Sequence, residues 1–279
     1  MILSGASTVA GVIGWPVSHS RSPRLHGYWL ELLDIDGAYV PLAVPPDKIE
    51  VALAALPAMG LCGVNVTVPH KTAAATACTR LDAAASAMGA VNTIVVTDDG
   101  ELNGSNTDGV GFLENLKQGA GWTGGGKAVV LGAGGAARAV LWALLEAGAE
   151  EVVVVNRTAS RAESLVAEFS GPVSVRPWND RGLVLADASL LVNTTSLGMQ
   201  GADPLDLDLD RLPPDTIVND IVYVPLETDL LRRARMRGNR TVDGLGMLIH
   251  QAVPGFAAWF GVEPPVNEDV RAFVLDGLA

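Results

Sequence analysis

A glycine-rich turn between a β-branched strand and an apolar helix constrains the fold of this chain more than any other feature. Residues 127–131 predict a strand, Gly132, Gly134 and Gly135 follow it, and residues 136–147 predict a helix. Glycines at this place let backbone N–H groups approach a pyrophosphate, and the helix N-terminus adds a favourable dipole. The turn therefore predicts a dinucleotide-binding βαβ unit. Its predicted contacts are Gly132, Ala133, Gly134, Gly135 and Ala136.

The end of the following strand indicates which dinucleotide is bound. An NAD site normally places Asp or Glu there, where the carboxylate holds the ribose 2′-OH. The strand predicted over residues 151–156 instead runs into Arg157, about 20 residues past the glycines, and Arg161 follows one turn later. Guanidinium groups accept a 2′-phosphate through charge-assisted hydrogen bonds, so NADP is favoured over NAD. The predicted contacts are Asn156, Arg157, Thr158 and Arg161.

Short β-branched runs alternate with longer helical runs along the whole chain, which predicts an α/β fold with parallel strands. Further strands are predicted over residues 8–13, 38–43, 64–68, 93–96, 173–176, 190–193 and 217–220, and a turn at 98–100 precedes 101–103. Further helices are predicted over residues 23–33, 47–56, 160–169, 244–260 and 268–275.

The charge balance argues against a polyanionic partner. The chain has 31 acidic and 19 basic side chains, a formal net charge of −12. Such a surface repels phosphate backbones, so nucleic-acid binding is not expected. The two cysteines, Cys62 and Cys78, form no CxxC motif and are too few for a disulfide framework, which favours a reducing cytoplasm. No basic region precedes Arg21, so a signal peptide is not expected.

Two stretches without charged residues, 51–70 and 244–262, are long enough to span a bilayer. Pro57 and Gly60 interrupt the first, and His250 and Pro254 interrupt the second. Interruptions of this kind fit the core of a soluble protein better than a lipid-exposed span, so no membrane association is expected. Because 49% of the residues are apolar, a largely disordered chain is also excluded.

Hydroxyl and amide side chains in apolar surroundings suit a small polyhydroxylated or carboxylate ligand. They include Ser20, Ser22, Asn65, Thr67, Asn92, Asn106, Thr107, residues 193–196 and Gln251. Lys71 follows a predicted core strand, and a lysine in a tuned environment can donate a proton. Taken alone, Lys71 indicates a helix-start lysine facing water, and Asp108 a helix-start carboxylate. The four histidines show no metal-ligand spacing, so no metal is expected.

Nine segments together resemble the shikimate dehydrogenase family, and the resemblance covers essentially the whole chain. The segments are GWPVSHSRSP at 14–23, NVTVPHK at 65–71, GAVNT at 89–93, NTDGVG at 106–111, GAGGAAR at 132–138, NRT at 156–158, NTTSLGM at 193–199, DIVY at 220–223 and DGLGMLIHQ at 243–251. All of them occur in the family's order. The small departure is Ala137, where the glycine fingerprint accepts Gly or Ala.

The resemblance implies an enzyme that reduces 3-dehydroshikimate to shikimate with NADPH, late in the route to chorismate and the aromatic amino acids. Lys71 and Asp108 match the family's catalytic pair. Lys71 would donate a proton to the developing alkoxide, and Asp108 would orient Lys71 and favour its charged form. The residues implied to hold the substrate are Ser20, Ser22 and Tyr223 at its carboxylate, and Asn65, Thr67, Asn92 and Gln251 at its hydroxyls. Further implied cofactor contacts are Thr194, Ser196, Gly244 and Met247.

The resemblance also implies two α/β domains with the active site in the cleft between them. An N-terminal substrate-binding domain, residues 1–106, would be completed by C-terminal helices in residues 245–279. Residues 107–244 would form a Rossmann-type NADP-binding domain. The expected protein is a cytoplasmic monomer or homodimer whose partner is a small-molecule substrate.

Two alternatives stay open from the sequence. A quinate/shikimate dehydrogenase would accept a broader substrate or cofactor range, although such relatives often carry an acidic residue where this chain has Arg157. The second alternative is a non-catalytic NADP-sensing protein with the same fold. Such a protein would not need Lys71 and Asp108 together with the serine pair, Ser20 and Ser22.

Overall fold

Two units of the chain each contain one six-stranded sheet. The computed structural model describes residues 2–276. One unit comprises the chain up to Thr107 and from Gln251 onward, and the other comprises Asp108–His250. The divisions predicted from the sequence, after residues 106 and 244, lie near these.

The first unit holds a mixed sheet covered by short helices. Its strands are β1 (Thr8–Gly14), β2 (Gly37–Ala43), β3 (Leu61–Val66), β4 (Arg80–Leu81), β5 (Thr93–Val96) and β6 (Leu102–Ser105). Its first helices are α1 (Ser22–Leu32), α2 (Ile49–Ala55), α3 (Lys71–Ala77) and α4 (Ala83–Met88). The strand order is β2-β1-β3-β5-β6-β4. Strand β5 runs antiparallel to β6, because the predicted turn at 98–100 closes a hairpin between them, and it also pairs antiparallel with β3. The expected parallel arrangement therefore does not hold at this place.

The second unit holds a sheet in which every strand pair is parallel. Its strands are β7 (Lys127–Leu131), β8 (Glu151–Asn156), β9 (Val173–Pro177), β10 (Leu190–Asn193), β11 (Ile217–Asp220) and β12 (Thr241–Val242). Its helices are α5 (Asp108–Ala120), α6 (Gly135–Glu146), α7 (Ala159–Val166) and α8 (Asp229–Met236). The order β12-β11-β10-β7-β8-β9 is that of the doubly wound dinucleotide-binding fold. Strand order reverses between β7 and β10, where such folds bind ligands beyond the carboxyl ends of the strands.

The last two helices are α9 (Leu245–Phe260) and α10 (Glu268–Leu275). The division between the units falls within α9, between His250 and Gln251. Asn267 caps α10, where its side chain accepts a hydrogen bond of 3.1 Å from the Val270 N–H. Within residues 2–276, no helix combines the length and the apolar character that crossing a membrane requires.

The α/β prediction is confirmed, and every predicted strand is present, some with the predicted ends and others with ends shifted by a few residues. The predicted strand 64–68 is observed as β3, Leu61–Val66, and the predicted helix 47–56 is divided into a short 3₁₀ turn and α2. Four helices, α3, α4, α5 and α8, were not predicted, although Lys71 and Asp108 were interpreted as helix-start residues.

An aromatic cluster around His26 forms part of the core of the first unit. The His26 ring is fully buried and stacks on Tyr39, with ring centroids 3.9 Å apart and planes 5° from parallel. Trp29, Phe256 and Trp259 surround it with centroids 5.5 to 5.8 Å away. Neither ring nitrogen has a hydrogen-bond partner. Burial lowers the pKa of His26 from 6.5 to about 3, so the ring is neutral at physiological pH.

Replacing His26 with Phe is expected to make the free energy of unfolding less sensitive to acid. The unfolded histidine takes a proton as the pH falls below 6.5, whereas the folded ring stays neutral until the pH approaches its folded pKa of about 3. Stability from this group is therefore present above pH 6.5 and is lost as the pH falls, by about 2 kcal/mol between pH 7 and pH 5. His26→Phe keeps an aromatic ring in the stack and removes this loss.

Urea unfolding at pH 7 and pH 5 measures how much stability His26→Phe and wild type each lose in acid. The control is His19→Gln, because His19 is an exposed histidine of the same unit. Burial raises the pKa of Asp220 to about 6, which favours the folded state as the pH falls from 6 toward 3.8 and opposes His26. Because wild type and variants share Asp220, its contribution cancels in the comparison. Equal pH dependence in His26→Phe and wild type would contradict the expectation.

Candidate active site

Amide and hydroxyl side chains of the first unit form a continuous buried network that begins at Asn65 on β3. Its Nδ2 donates to the main-chain oxygen of Asn92 at 3.1 Å and to Thr93 Oγ1 at 3.0 Å. Its Oδ1 accepts from the Tyr39 hydroxyl at 2.6 Å. A main-chain oxygen only accepts, so this contact fixes which end of the Asn65 amide faces Asn92. Asn65 is therefore held in one orientation from three sides.

The network continues through Asn92 and Thr107 to Gln251, which begins the C-terminal part of the same unit. Asn92 Oδ1 accepts from the Thr93 hydroxyl at 3.0 Å and from the Thr107 N–H at 2.9 Å. Asn92 Nδ2 lies 3.0 Å from Thr107 Oγ1 and 3.4 Å from Gln251 Oε1. The Thr107 hydroxyl donates to the main-chain oxygen of Gln251 at 2.7 Å. Three predicted substrate contacts, Asn65, Asn92 and Gln251, are thereby brought into one arrangement.

The two predicted serines stand at the start of α1. Ser22 is its first residue and is buried, and Pro23 fixes the first turn. The Ser22 N–H donates to Ser20 Oγ at 3.3 Å, so the Ser20 hydroxyl is held at the start of α1. Burial of Tyr39 on β2 raises the pKa of its hydroxyl well above the usual value.

Lys71 is the first residue of α3 and is half-buried, and it is not the fully solvated helix-start lysine that its position alone indicated. Its main-chain oxygen accepts from the Val91 N–H at 2.9 Å, which ties the helix start to the segment before Asn92. The preceding His70 is buried, and its Nε2 lies 2.8 Å from the main-chain oxygen of Val44. Thr67 follows β3 directly, and its N–H donates to the Ile13 oxygen at 2.9 Å.

Asp108 is the first residue of α5 and begins the second unit. A carboxylate in the first turn of a helix is favoured by the helix dipole. Two residues of the surrounding segment have structural roles of their own, because Asn106 Nδ2 donates to the Ala90 oxygen at 2.9 Å and Thr107 belongs to the network above.

The glycine turn of the second unit follows β7 at the reversal of strand order. Gly132 has φ +113°, and a Cβ there would lie 2.5 Å from Thr194 Oγ1, so no other residue fits. Thr194 follows β10 and donates its hydroxyl to the Leu131 oxygen at 2.7 Å. Gly134 and Gly135 have no neighbouring heavy atom within 4 Å of their Cβ positions. Open space beside the N-terminus of α6 is what close approach of a pyrophosphate requires.

The predicted 2′-phosphate residues follow β8. Arg157, Thr158 and Arg161 are exposed, and neither guanidinium forms an ion pair with any residue between 2 and 276. Asn156 Nδ2 donates to the Thr158 oxygen at 2.8 Å and shapes this loop. A cavity of about 400 Å³ lies between the glycine turn and α7, with Arg161 in its lining.

Arg138 and Glu168 also line this cavity, and the sequence did not assign them a role. Arg138 Nη2 contacts Glu168 Oε1 at 2.7 Å, and a second contact between the same side chains makes the pair bidentate. The Arg138 guanidinium lowers the pKa of the Glu168 carboxyl. The Arg138 guanidinium is therefore paired, whereas Arg157 and Arg161 are exposed and form no ion pair with residues 2–276.

A buried carboxylate organises the loops after β10 and β11. Asp220 Oδ1 accepts from Asn193 Nδ2 at 3.0 Å and from the Val222 N–H at 3.1 Å, and Oδ2 accepts from the Thr228 hydroxyl at 2.7 Å. Burial raises the pKa of Asp220 to about 6, although these three donors lower it. The predicted substrate residue Tyr223 lies on the loop that Asp220 holds, and it is half-buried.

The remaining predicted cofactor residues belong to the same unit. Ser196 is exposed on the loop after β10, and Gly244 and Met247 stand at the start of α9. A Cβ on Gly244 would lie 2.1 Å from the Ile221 oxygen, so this position also requires glycine. All thirteen predicted cofactor contacts thus lie in the second unit, whereas the predicted substrate contacts lie in the first, with Tyr223 the exception. No group of three or more His, Cys, Asp or Glu within residues 2–276 could hold a metal ion.

The doubly wound sheet, the glycine turn at its switch point and the buried polar network define a dinucleotide-dependent oxidoreductase. Comparison with known proteins gives the same class. The family profile described as "Shikimate dehydrogenase substrate binding domain" matches residues 12–94. The profiles "Shikimate / quinate 5-dehydrogenase" and "Shikimate 5'-dehydrogenase C-terminal domain" match residues 116–199 and 244–272.

The chain belongs to the shikimate dehydrogenase family, as the resemblance predicted. It is 59% identical to the shikimate dehydrogenase (NADP(+)) of Paramagnetospirillum magneticum over 98% of this chain and 100% of that protein. A structure of the Thermus thermophilus enzyme in complex with NADP(H) and shikimate superposes with a TM-score of 0.86 at 37% identity, covering 96% of this chain and 99% of that one. A quinate dehydrogenase from Corynebacterium glutamicum in complex with NAD superposes with a TM-score of 0.91 at 31% identity, covering 97% and 99%.

Proposed function

We propose that this chain catalyses the reversible, NADP-dependent interconversion of shikimate and 3-dehydroshikimate. The observation that carries the proposal is the buried network of Asn65, Asn92 and Gln251, in which hydrogen bonds orient the amides, in the same unit as the Ser20–Ser22 pair. Such an arrangement suits a small ring that carries several hydroxyls and one carboxylate. Family membership supports the same substrate.

The substrate carboxylate is bound by the hydroxyls of Ser20 and Ser22, with help from Tyr223. Neutral donors at this place avoid burying a further cation in a chain whose net charge is −12. The ring hydroxyls are bound by Asn65, Thr67, Asn92 and Gln251. Both protons of the Asn65 amide are already donated, to Asn92 and Thr93, so Asn65 acts toward a substrate hydroxyl as an acceptor.

The residues of the second unit fit NADP. Gly134 and Gly135 leave open space beside the start of α6 for the pyrophosphate, and Arg157 and Arg161 are exposed and unpaired within residues 2–276 for the 2′-phosphate. Asn156, Thr158, Thr194, Ser196, Gly244 and Met247 complete the proposed contacts. The cofactor, when bound, supplies or accepts the hydride at the carbon that bears the reacting oxygen.

Lys71 provides the proton that the reduction needs. A carbonyl that gains a hydride becomes an alkoxide, and the Lys71 ammonium neutralises it by donating one proton to the oxygen. In the oxidation direction Lys71 accepts the same proton. Asp108 is the proposed partner that orients Lys71. No covalent intermediate and no metal ligand is required of any residue.

An assay of shikimate and quinate, each with NADP⁺ and with NAD⁺, tests the proposed function. We expect the highest kcat/KM for shikimate with NADP⁺, because Arg157 and Arg161 favour the 2′-phosphate. The similarity to an NAD-bound quinate dehydrogenase supports a second candidate, a quinate/shikimate dehydrogenase. A kcat/KM for quinate equal to that for shikimate would favour that candidate. No turnover of either acid by a folded protein would contradict both.

A further inference from the structure

Thr107 is a buried residue to which the family resemblance assigns no role, and it lies where the chain leaves the first unit. It is 5% exposed, it is the last residue of that unit before the chain enters the second, and Gln251 is the first residue after the return. The Thr107 hydroxyl donates to the main-chain oxygen of Gln251 at 2.7 Å. One hydrogen bond therefore joins the exit and return points of the first unit, 144 positions apart in the chain.

The hydrogen bonds between Thr107 and Asn92 have defined directions. A main-chain N–H only donates, so the Thr107 N–H, 2.9 Å from Asn92 Oδ1, fixes which end of the Asn92 amide is the oxygen. The single proton of the Thr107 hydroxyl is used toward Gln251, whose main-chain oxygen only accepts. Thr107 Oγ1 must then accept from Asn92 Nδ2, which lies 3.0 Å away. Thr107 thus holds both ends of one amide.

This arrangement decides which group of Asn92 can serve a substrate. Asn92 Oδ1 accepts from the Thr107 N–H and from the Thr93 hydroxyl at 3.0 Å, and these two donors occupy its two lone pairs. Toward a ring hydroxyl, Asn92 can therefore act only through Nδ2, as a donor. Asn65 has the opposite polarity, because both of its amide protons are donated within the network. A hydroxyl both donates and accepts, so it suits such a pair.

We propose that Thr107 is a positioning residue that keeps the Asn92 amide oriented as a donor and holds the main chain of Gln251 beside it. This inference rests on the proposed function, in which the side chains of Asn92 and Gln251 bind ring hydroxyls. The hydrogen bonds of Thr107 stay in place when substrate binds, because none of them uses the Gln251 side chain. The longer contact of 3.4 Å between Asn92 Nδ2 and Gln251 Oε1 is the one that a ring hydroxyl can replace.

The variant Thr107→Val tests the inference, because it removes the hydroxyl and keeps both the β-branched shape and the N–H that donates to Asn92. Without its acceptor at Nδ2, the Asn92 amide is correctly oriented in only a fraction of the molecules, and the Kd rises as the inverse of that fraction. We expect the Kd for shikimate, measured by titration calorimetry, to rise about 5- to 15-fold, as for the loss of a buried hydrogen bond. Thr107→Ser keeps the hydroxyl and should bind shikimate nearly as wild type does.

Steady-state kinetics gives a second readout of Thr107→Val. The KM for shikimate should rise with the Kd, whereas kcat should change less, because Asn92 contacts the ring alike in the ground state and in the transition state. The KM for NADP⁺ should stay unchanged, since the proposed cofactor contacts belong to the second unit. A fall in kcat with an unchanged KM for shikimate would overturn the inference.

Thr216→Val is the matched control. Thr216 is fully buried in the second unit, and its hydroxyl donates to the Ala188 main-chain oxygen at 2.6 Å, so the variant loses the same kind of hydrogen bond. We expect a lower melting temperature in both valine variants and weaker shikimate binding in Thr107→Val alone. A lower melting temperature with an unchanged Kd in Thr107→Val would show a merely structural role and overturn the inference. Equal weakening in Thr107→Ser would also overturn it, because the hydroxyl would not be the cause.

An Asn92→Ala background tests whether Thr107 acts through Asn92. In that background Thr107→Val should raise the Kd for shikimate by a smaller factor than it does in wild type, because the amide that Thr107 orients is gone. The same factor in both backgrounds would overturn the route through Asn92.

The wild-type measurements separate failure of this inference from failure of the proposed function. If wild type neither binds nor turns over shikimate, the proposed function fails and the inference falls with it. If wild type turns over shikimate and Thr107→Val binds it with an unchanged Kd, only the inference fails.

Discussion

Lys71→Ala is expected to lower kcat for shikimate oxidation by about 10²- to 10⁴-fold, the usual contribution of a positioned general acid or base. The alkoxide and the hydroxyl of the substrate interconvert only when a proton is exchanged, and water is a poor substitute in a site lined by buried amides. The KM for shikimate should change only a few-fold, because the proposed carboxylate and hydroxyl contacts are made by other residues. Steady-state kinetics at saturating NADP⁺ measures both quantities.

Lys48→Ala is the matched control for this experiment. Lys48 is a lysine of the same unit, its side chain is 67% exposed, and it pairs with Asp47 at 3.5 Å. The control removes the same charge and should leave kcat unchanged. Equal turnover in Lys71→Ala and wild type would remove Lys71 from the mechanism. A large increase in KM with unchanged kcat would instead give Lys71 a binding role.

Arg157→Asp is expected to raise the KM for NADP⁺ by about 10- to 100-fold, corresponding to the loss of a charge-assisted hydrogen bond and a new repulsion. The KM for NAD⁺ should change little, because NAD⁺ has no 2′-phosphate. The ratio of kcat/KM for the two cofactors therefore measures the contribution of Arg157 directly. An unchanged ratio would place the 2′-phosphate elsewhere.

The control for Arg157→Asp is Arg211→Asp. Arg211 is exposed and belongs to the same unit, and its replacement changes the net charge by the same amount. Since the chain already carries −12, a long-range effect of charge on an anionic cofactor would appear in both variants. Loss of a local contact would affect Arg157→Asp alone.

Salt should weaken NADP⁺ binding to wild type more than to Arg157→Ala, because screening acts on the interaction that Arg157 provides.

The sequence predicted the second unit more completely than the first. Strands β7, β8, β10 and β11 each contain an uninterrupted run of β-branched or aliphatic residues, and their predicted bounds are those observed. Helices α3 and α4 have seven and six residues and are rich in alanine, so they show no amphipathic period that could mark them. The antiparallel β5 depends on where the hairpin packs, which is a tertiary property.

The contact between Tyr39 and Asn65 shows why part of the site could not be predicted. Tyr39 pairs with Ala10 on β1, and Asn65 pairs with Val12 on the other side of the same strand. The two residues are 26 positions apart in the chain, and only the order β2-β1-β3 brings them together. Asp220 likewise stands at an ordinary strand end, and its role depends on the loops of Asn193 and Thr228. Short motifs identify the residues but not these connections.

The exposure of Arg157, Thr158 and Arg161 has a consequence for how readily such an enzyme can change. Substitutions at exposed positions without partners usually alter stability by less than about 0.5 kcal/mol. Cofactor preference can therefore drift, or be altered in the laboratory, one residue at a time. The proposed substrate contacts Asn65, Asn92 and Gln251 belong to one interlinked network, so we expect that accepting a different ring requires concerted substitutions. In a lineage that diversifies from this chain, the choice of dinucleotide should change earlier and more often than the choice of acid.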